Sequence, residues 1–189
     1  FGANCSNPNT NTWKSGFSGS GAALQKRDGT LVSSFVNRQA DNSQHFYFFM
    51  SKDGGQNWYV SGNSGTDGAD EPKTLERNNG DLAISVRATG YNFHNYTSND
   101  GETWHLAPRT RFTTGISGNA CDGEYMVWCS TLEGNPWNIA FQTLPNSDSR
   151  QNVSIALSTD EGATFGTPKT ICPRGSAYSA AVVLPDGTL

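Results

Sequence analysis

Four side chains stand out by their types and by their spacing: Glu71, Arg87, Arg150 and Tyr178. Arg87 follows Glu71 by sixteen residues, and Tyr178 follows Arg150 by 28. Two guanidinium groups can bind a carboxylate through paired hydrogen bonds. A tyrosine can act as a nucleophile when a nearby base, such as a glutamate, accepts its proton. The four residues can do such chemistry only if the fold brings them together.

Each of these residues also has an ordinary structural interpretation. A tyrosine at the start of a strand usually packs in the core, with its hydroxyl on a backbone group. Arg87 or Arg150 alone would most often form a surface ion pair, and Glu71 alone would be a solvated loop residue. The functional interpretation therefore depends on the elements that carry the four side chains.

A short turn motif that occurs three times indicates what those elements are. Its pattern is Ser/Thr-x-Asp/Asn-x-Gly-x-Thr/Asn-aromatic, at residues 51–58, 97–104 and 158–165. The hydroxyl, carboxyl and amide side chains can bond nearby backbone N–H groups, and glycine supplies a positive φ. The aromatic ring then covers the hairpin. Three copies of one eight-residue pattern indicate a structural repeat.

The spacing of the repeats predicts an all-β protein built from propeller blades. The aromatic residues that end the motifs, Trp58, Trp104 and Phe165, are 46 and 61 residues apart, which suits four-stranded blades. No segment has a sustained helical period, and residues 1–16 are polar, which predicts a loop that Trp13 and Phe17 dock on the body. Equivalent strand ends in successive blades converge near the propeller axis, which would bring the four side chains together. Strands are predicted over residues 22–25, 30–36, 46–50, 58–60, 71–75, 82–87, 91–96, 123–130, 138–143, 153–157 and 177–184.

The repeated turn resembles the Asp box of the sialidase (neuraminidase) family, whose catalytic domain is a six-bladed β-propeller. The box also occurs in propellers without sialidase activity. The segments around the four side chains are more specific, and their order resembles that of exo-α-sialidases of the bacterial and fungal type. The resemblance covers roughly residues 17–189 and implies about four of the six blades. The segments are Asp70-Glu71-Pro72, Ile84-Ser85-Val86-Arg87, Ser149-Arg150-Gln151-Asn152-Val153 and Ala177-Tyr178-Ser179.

The resemblance implies a role for each of the four residues. Arg87 and Arg150 match the second and third of three arginines that bind the carboxylate of sialic acid. Tyr178 matches the nucleophile, and Glu71 matches the base that activates it. A neutral phenol avoids the repulsion that the substrate carboxylate would exert on an anionic nucleophile, and sialidases are the glycosidases that use tyrosine. The implied reaction is hydrolysis of terminal sialic acid, or a related nonulosonic acid, through a covalent tyrosyl intermediate with retention.

Two groups implied by the resemblance have no match in this sequence. The family's first arginine and its acid/base aspartate lie before the matched region, and residues 1–16 contain neither Arg nor Asp. A supporting glutamate would follow Leu189. We therefore expect residues 1–189 to be a partial sialidase-like catalytic domain. Expressed alone, they should be inactive, and unstable because unclosed blades expose apolar flanks.

Composition excludes several classes of partner. The net charge of −4 gives no basic surface for nucleic acid or anionic lipid, and no apolar run approaches the roughly 18 residues of a membrane span. The N-glycosylation pattern occurs at Asn4, Asn95 and Asn152. We expect a secreted or cell-surface protein, monomeric, that acts on sialylated glycans.

The cysteines and histidines do not have the spacing of a zinc site, so we expect neither a metal nor a cofactor. An even number of cysteines allows two disulfides, most simply Cys121–Cys129 across a hairpin over residues 119–130. The alternative is a set of buried free thiols. The residues concerned are Cys5, Cys121, Cys129 and Cys172, with His45, His94 and His105.

Two other functions fit the same residues. One is a non-catalytic propeller that binds a glycan or a protein through the same face; it would lack the upstream Arg and Asp. The other is a trans-sialidase with the same site, which differs from a hydrolase only in the access it gives to an acceptor.

Overall fold

The computed structural model describes residues 5–6, 13–19, 23–61, 69–88, 92–98, 105–106, 121–147 and 149–189. In this part of the chain no helix has the length and apolar character that crossing a membrane requires. The elements are β1 (Cys5–Ser6), β2 (Trp13–Ser18), β3 (Leu24–Gln25), β4 (Leu31–Gln39), β5 (Gln44–Ser51), β6 (Trp58–Val60), β7 (Ala69–Glu76), β8 (Leu82–Ala88), β9 (Asn92–Ser98), β10 (His105–Leu106), β11 (Tyr125–Cys129), a 3-10 helix (Thr131–Glu133), β12 (Ile139–Pro145), β13 (Gln151–Ser158) and β14 (Lys169–Gly175).

The described strands form three sheets in chain order. The first has the order β1-β6-β5-β4-β2, with β3 also paired to β4; the second is β10-β9-β8-β7, and the third is β11-β12-β13-β14. The third sheet is antiparallel throughout, and in the first sheet only β1 pairs in parallel, with β6. Successive sheets of short strands are the all-β architecture that the repeat spacing predicted.

The chain divides into two compact units, residues 1–86 with 96–105 and residues 87–95 with 106–189. The core of the first unit is built from one residue of β4 and alternate residues of β5 and β8, since alternation directs every second side chain to one face of a sheet. Burying each of these apolar side chains contributes about 1.5–3 kcal/mol. The cluster consists of Val32, Phe46, Phe48, Met50, Leu82, Ile84 and Val86.

The first turn motif has the hydrogen bonds that its residue types predict. The Ser51 hydroxyl donates to Asp53 Oδ1 (2.8 Å) and accepts from the Gly55 N–H (2.9 Å). Asp53 also accepts from the backbone N–H of Asn57 (2.9 Å) and from its side-chain amide (2.7 Å). Trp58 closes the turn by donating from Nε1 to the Gly55 carbonyl (3.0 Å).

The third motif repeats this set of bonds. Ser158 donates to Asp160 (2.6 Å) and accepts from the Gly162 N–H (2.8 Å), while Asp160 accepts from the N–H and hydroxyl of Thr164 (2.8 and 2.5 Å). The second motif, residues 97–104, lies largely outside the described residues. Two turns with one bonding scheme show that the sequence repeat is a structural one.

Asp53 should titrate at unusually low pH because its turn stabilises the charged form. Hydrogen bonds from the Asn57 backbone, the Asn57 side chain and the Ser51 hydroxyl lower the pKa of Asp53 from 3.8 to about 2. A depressed pKa contributes stability above the unfolded-state value and loses it as the pH falls through the folded-state value. By calorimetry, the thermal advantage of wild type over Asp53→Asn should be constant above about pH 4 and shrink towards about pH 2. An advantage that persists undiminished at pH 2 would contradict this account.

Gly162→Ala should destabilise the protein far more than Gly29→Ala. Both glycines have positive φ, 84° and 87°, so each substitution carries a backbone cost of about 1–2 kcal/mol. A Cβ on Gly162 would also overlap the hydroxyl of buried Tyr125, whereas one on Gly29 would meet no atom within 4 Å. Overpacking adds about 1–3 kcal/mol. Chemical denaturation should separate the two variants, and equal losses of unfolding free energy would exclude the Tyr125 contact as a constraint.

Two predicted boundaries were wrong. Residues 13–16 do not belong to a loop but to β2, which pairs with β4. The Trp13 ring stacks on Phe35 (ring centroids 5.5 Å apart) and packs at an angle of 47° against Tyr47 (5.1 Å). Residues 177–184 form no strand; β14 instead occupies the edge of the third sheet, where its Pro173 is tolerated. Tyr178 therefore follows an edge strand and does not begin a strand.

The predicted Cys121–Cys129 disulfide was also wrong. Cys121, Cys129 and Cys172 are free thiols. Cys121 is buried before β11, and Cys129 lies at the far end of that strand, where its Sγ donates to the Trp137 carbonyl (3.5 Å). The extended strand alone spans about 13 Å, and a disulfide needs Cα atoms within about 7 Å.

Candidate active site

Arg150 and Tyr178 lie against each other in the second unit. Arg150 directly precedes β13, and Tyr178 lies three residues after the end of β14. The guanidinium carbon of Arg150 is 5.6 Å from the centroid of the Tyr178 ring, within the range of a cation–π interaction. Both side chains are exposed, Tyr178 to 51%. Tyr178 is therefore not the core residue that the ordinary structural interpretation described.

A bulge at the start of β13 brings the two residues together. Asn152 has a φ of 60°, and the pairing of β13 with β14 shifts register between Gln151 and Val153. Bulges bend a strand and re-aim its side chains, and they are frequent next to active sites. Ser176 holds the segment that leads to Tyr178 against the start of β13. Its N–H donates to the Arg150 carbonyl (2.8 Å), and its hydroxyl accepts from the Val153 N–H (3.3 Å).

A second set of hydrogen bonds holds the chain on the other side of Tyr178. The hydroxyl oxygens of Ser179 and Thr143 are 2.8 Å apart, and Thr143 Oγ1 also accepts from the Glu124 N–H (2.8 Å). Gly123 lies so close to the backbone of Thr143 that a Cβ on Gly123 would overlap the Thr143 carbonyl oxygen. The tyrosine is thus tied to strand β12 as well as to β13.

Glu71 lies on β7, in a strained backbone conformation. Its φ is 39°, although it precedes Pro72, which disfavours helical backbone in the preceding residue. Such strain costs about 1–3 kcal/mol and clusters at functional sites. The surroundings hold it in place: the Glu71 N–H donates to Asp70 Oδ1 (3.0 Å), and buried Ser34 donates to the Pro72 carbonyl (2.8 Å). The Glu71 side chain is half-buried.

Arg87 is the penultimate residue of β8, where the sequence predicted it. The preceding residues 82–86 are buried, and the Arg87 side chain is half-buried. Glu71 belongs to the first compact unit, and Arg87, Arg150 and Tyr178 to the second. The structure brings Arg150 and Tyr178 together, and the convergence of Glu71 and Arg87 with this pair stays a prediction.

Sequence reasoning missed Thr143, Ser176 and the role of Ser179. A threonine in the middle of a predicted strand carries no signal of its own, and its partner Ser179 lies 36 residues away. In the sequence, Ser179 was noted only as the neighbour of Tyr178 in the segment Ala177-Tyr178-Ser179. Among the described residues, no group of three or more His, Cys, Asp or Glu side chains is arranged to hold a metal ion.

The sequence of this chain matches a known protein family. A family model described as "BNR repeat-like domain" matches residues 7–189. The chain belongs to the BNR repeat-like domain family. As a BNR repeat-like domain it is similar to the protein named "Sialidase" from Micromonospora viridifaciens, with 25% identity over 183 residues that cover 93% of this chain and 28% of that relative.

Solved structures with the same fold as this BNR repeat-like domain include two sialidases. "Hadza microbial sialidase Hz136" has a TM-score of 0.75 at 24% identity, over 89% of this chain and 32% of its own. Trypanosoma rangeli sialidase in complex with sialic acid has a TM-score of 0.75 at 24% identity, over 92% and 28%. The same protein as a covalent intermediate with 2,3-difluorosialic acid has a TM-score of 0.71 at 22% identity, also over 92% and 28%.

These likenesses show that the chain has the fold of the sialidase β-propellers, as the repeat predicted. The chain spans less than a third of the length of each relative. Its three sheets are followed by a turn at residues 184–188, where the Leu184 N–H donates to the Thr188 carbonyl (2.8 Å). The described strands form three sheets, and the expected share of about four blades stays a prediction.

Proposed function

We propose that this protein is a retaining exo-α-sialidase, a glycoside hydrolase that removes terminal sialic acid or a related nonulosonic acid from sialylated glycans. The observation that carries the proposal is the exposed contact between Arg150 and Tyr178. These are two positions at which the sialidase resemblance expects a carboxylate-binding arginine and a nucleophile. The relatives support it, since they are sialidases and one was solved with sialic acid.

The proximity of these two side chains suits a substrate whose carboxylate is bonded directly to its anomeric carbon. A guanidinium that binds this carboxylate and a nucleophile that attacks the next carbon must lie side by side. Arg150 and Tyr178 do so, with 5.6 Å between guanidinium carbon and ring centroid. The paired N–H groups of Arg150 would fix the orientation of the carboxylate, and therefore also the anomeric carbon in front of Tyr178.

In the proposed first step, the Tyr178 hydroxyl oxygen bonds to the anomeric carbon while the glycosidic bond breaks. The phenol has an ordinary pKa near 10, so it needs a base, and Glu71 would accept its proton. The leaving oxygen takes a proton from a general acid that is not among the four residues. Water then attacks the same carbon and gives a proton to the conjugate base of that general acid, while the bond to tyrosine breaks and the phenolate regains its proton from Glu71. Two inversions give net retention.

Hydrolysis of three aryl glycosides by the full-length protein tests this function. An aryl α-sialoside carries the carboxylate on the anomeric carbon, an aryl β-glucuronide carries it elsewhere on the ring, and an aryl β-galactoside has none. We expect measurable turnover of the sialoside only. Turnover of the glucuronide in its place would overturn the proposal.

Two further outcomes would favour the other candidates. Binding of sialic acid by calorimetry without any hydrolysis would indicate a non-catalytic propeller. Transfer of the sialyl group to added lactose at a rate above that of hydrolysis would indicate a trans-sialidase. Either result would replace the assignment of a hydrolase.

A further inference from the structure

The segment that carries Tyr178 has no sheet to hold it. Residues 176–184, all of which the structure describes, form no strand, and Tyr178 itself is half exposed. A nucleophile must nevertheless be held within a fraction of an ångström of its productive position, because a misplacement of about 1 Å can cost about 100-fold in rate. Contacts other than strand pairing must therefore position the tyrosine.

Thr143 occupies the point where such a contact is made. It lies on β12, paired with Ile155 of β13, and it is only 3% exposed. Its backbone N–H donates to the Glu124 carbonyl (2.9 Å), and its hydroxyl oxygen accepts from the Glu124 N–H (2.8 Å). This double link leaves the Thr143 hydroxyl little freedom to move.

The Ser179 hydroxyl lies 2.8 Å from this fixed hydroxyl. Since a threonine hydroxyl oxygen has two lone pairs and one proton, it can bond Ser179 while it accepts from Glu124. Gly123 completes the packing, because a Cβ there would lie 2.9 Å from Ser179 Oγ and would overlap the Thr143 carbonyl. The residue next to Tyr178 is thus anchored to the interior of the third sheet.

We infer that Thr143 is a positioning residue for Tyr178 and acts through the hydroxyl of Ser179. The inference rests on the proposed function for its kinetic readout. It adds to that function a pair of residues that act through the position of Tyr178 and take no part in making or breaking bonds. With Ser176 holding Arg150 on one side, the Thr143–Ser179 pair fixes the tyrosine on the other.

Ser179→Ala is the cleanest test, because it removes the link to Tyr178 and leaves the bond between Thr143 and the Glu124 N–H intact. In the full-length protein, kcat for an aryl α-sialoside should fall about 10- to 100-fold, with KM changed less than about threefold. Thr143→Val should do the same, and Thr143→Ser, which keeps the hydroxyl, should restore most of kcat. Thermal unfolding followed by circular dichroism shows that each variant folds.

Thr170→Val provides a matched control in the same unit. The Thr170 hydroxyl bonds that of Ser154 at 3.2 Å, between β14 and β13, so this variant also loses a hydroxyl pair across the sheet. It should retain the wild-type kcat. A loss of kcat in Thr170→Val equal to the loss in Ser179→Ala would overturn the inference. So would a Ser179→Ala variant in which KM rises while kcat stays unchanged.

A second readout does not require activity. In protein labelled with 3-fluorotyrosine, the 19F resonance of Tyr178 is identified by its absence in Tyr178→Phe. Ser179→Ala and Thr143→Val should shift or broaden that resonance, whereas Thr170→Val should leave it unchanged. If wild type proved inactive but the resonance responded in this way, the proposed function would fail and the positioning role would stand. A resonance that none of the variants alters would end the positioning role, whatever the activity.

Discussion

Tyr178→Phe in the full-length protein should lower kcat for an aryl α-sialoside by at least about 100-fold. The substitution removes only the hydroxyl oxygen, which is the atom that would bond to the anomeric carbon. The ring remains, so its contact with the Arg150 guanidinium should persist. Because the carboxylate is read by arginine and not by the phenol, affinity for a sialic acid analogue should stay within about threefold of wild type.

Tyr59→Phe is the matched control for this loss. Tyr59 also has a cation over its ring, with Lys52 Nζ 5.6 Å from the centroid, and its hydroxyl contacts Met50 Sδ at 3.8 Å. It lies on β6 and is not one of the four residues of the proposed site, so its hydroxyl has no part in the proposed chemistry. Wild-type turnover by Tyr178→Phe, or an equal loss in Tyr59→Phe, would contradict the assignment of Tyr178 as nucleophile.

Arg150→Ala should weaken the binding of a carboxylate-bearing sialic acid analogue by about 10- to 100-fold. Removal of a charge-assisted hydrogen bond costs about 1.5–3 kcal/mol. The same analogue with its carboxylate reduced to an alcohol should bind wild type and variant almost equally. Arg150→Lys should give an intermediate affinity, because lysine keeps the charge but cannot form the planar pair of bonds. We expect Arg87→Ala to behave like Arg150→Ala.

Isothermal titration calorimetry with both ligands measures this difference. Arg174→Ala serves as the control, since Arg174 is an exposed arginine on β14 of the same unit. This substitution removes one positive charge and leaves Arg150 and Tyr178 unchanged. Losses of affinity that are equal for the acid and the alcohol would mean that Arg150 does not read the carboxylate. A loss of affinity in Arg174→Ala as large as in Arg150→Ala would mean that the effect comes from net charge alone.

The parts of the fold that could be predicted are those determined by neighbours in sequence. The turns at residues 51–58 and 158–165 formed as predicted because Asp53 and Asp160 bond residues only two to four positions away. The core strands followed from alternation. The disulfide prediction failed because it assumed a hairpin between Cys121 and Cys129, where the chain has one strand, β11, preceded by residues 121–124, which belong to no strand.

The candidate site was only partly visible in the sequence. The sequence spacing drew attention to Arg150 and Tyr178, but their contact depends on the bulge at Asn152 and on β14, a strand that was not predicted. Thr143 and Ser179 meet across 36 residues, and nothing in the local pattern of either points to the other. Contacts of this kind are set by the register of the sheets.

Trapping the glycosyl-enzyme with 2,3-difluorosialic acid would identify the nucleophile directly. The fluorine next to the anomeric carbon disfavours the oxocarbenium-like transition state of hydrolysis, so the covalent species should accumulate. After proteolysis and mass spectrometry of the full-length protein, we predict one modified peptide, with the sugar on Tyr178 and no label in Tyr178→Phe. A label on any other residue, or full turnover of an aryl α-sialoside with no label at all, would contradict the proposed mechanism.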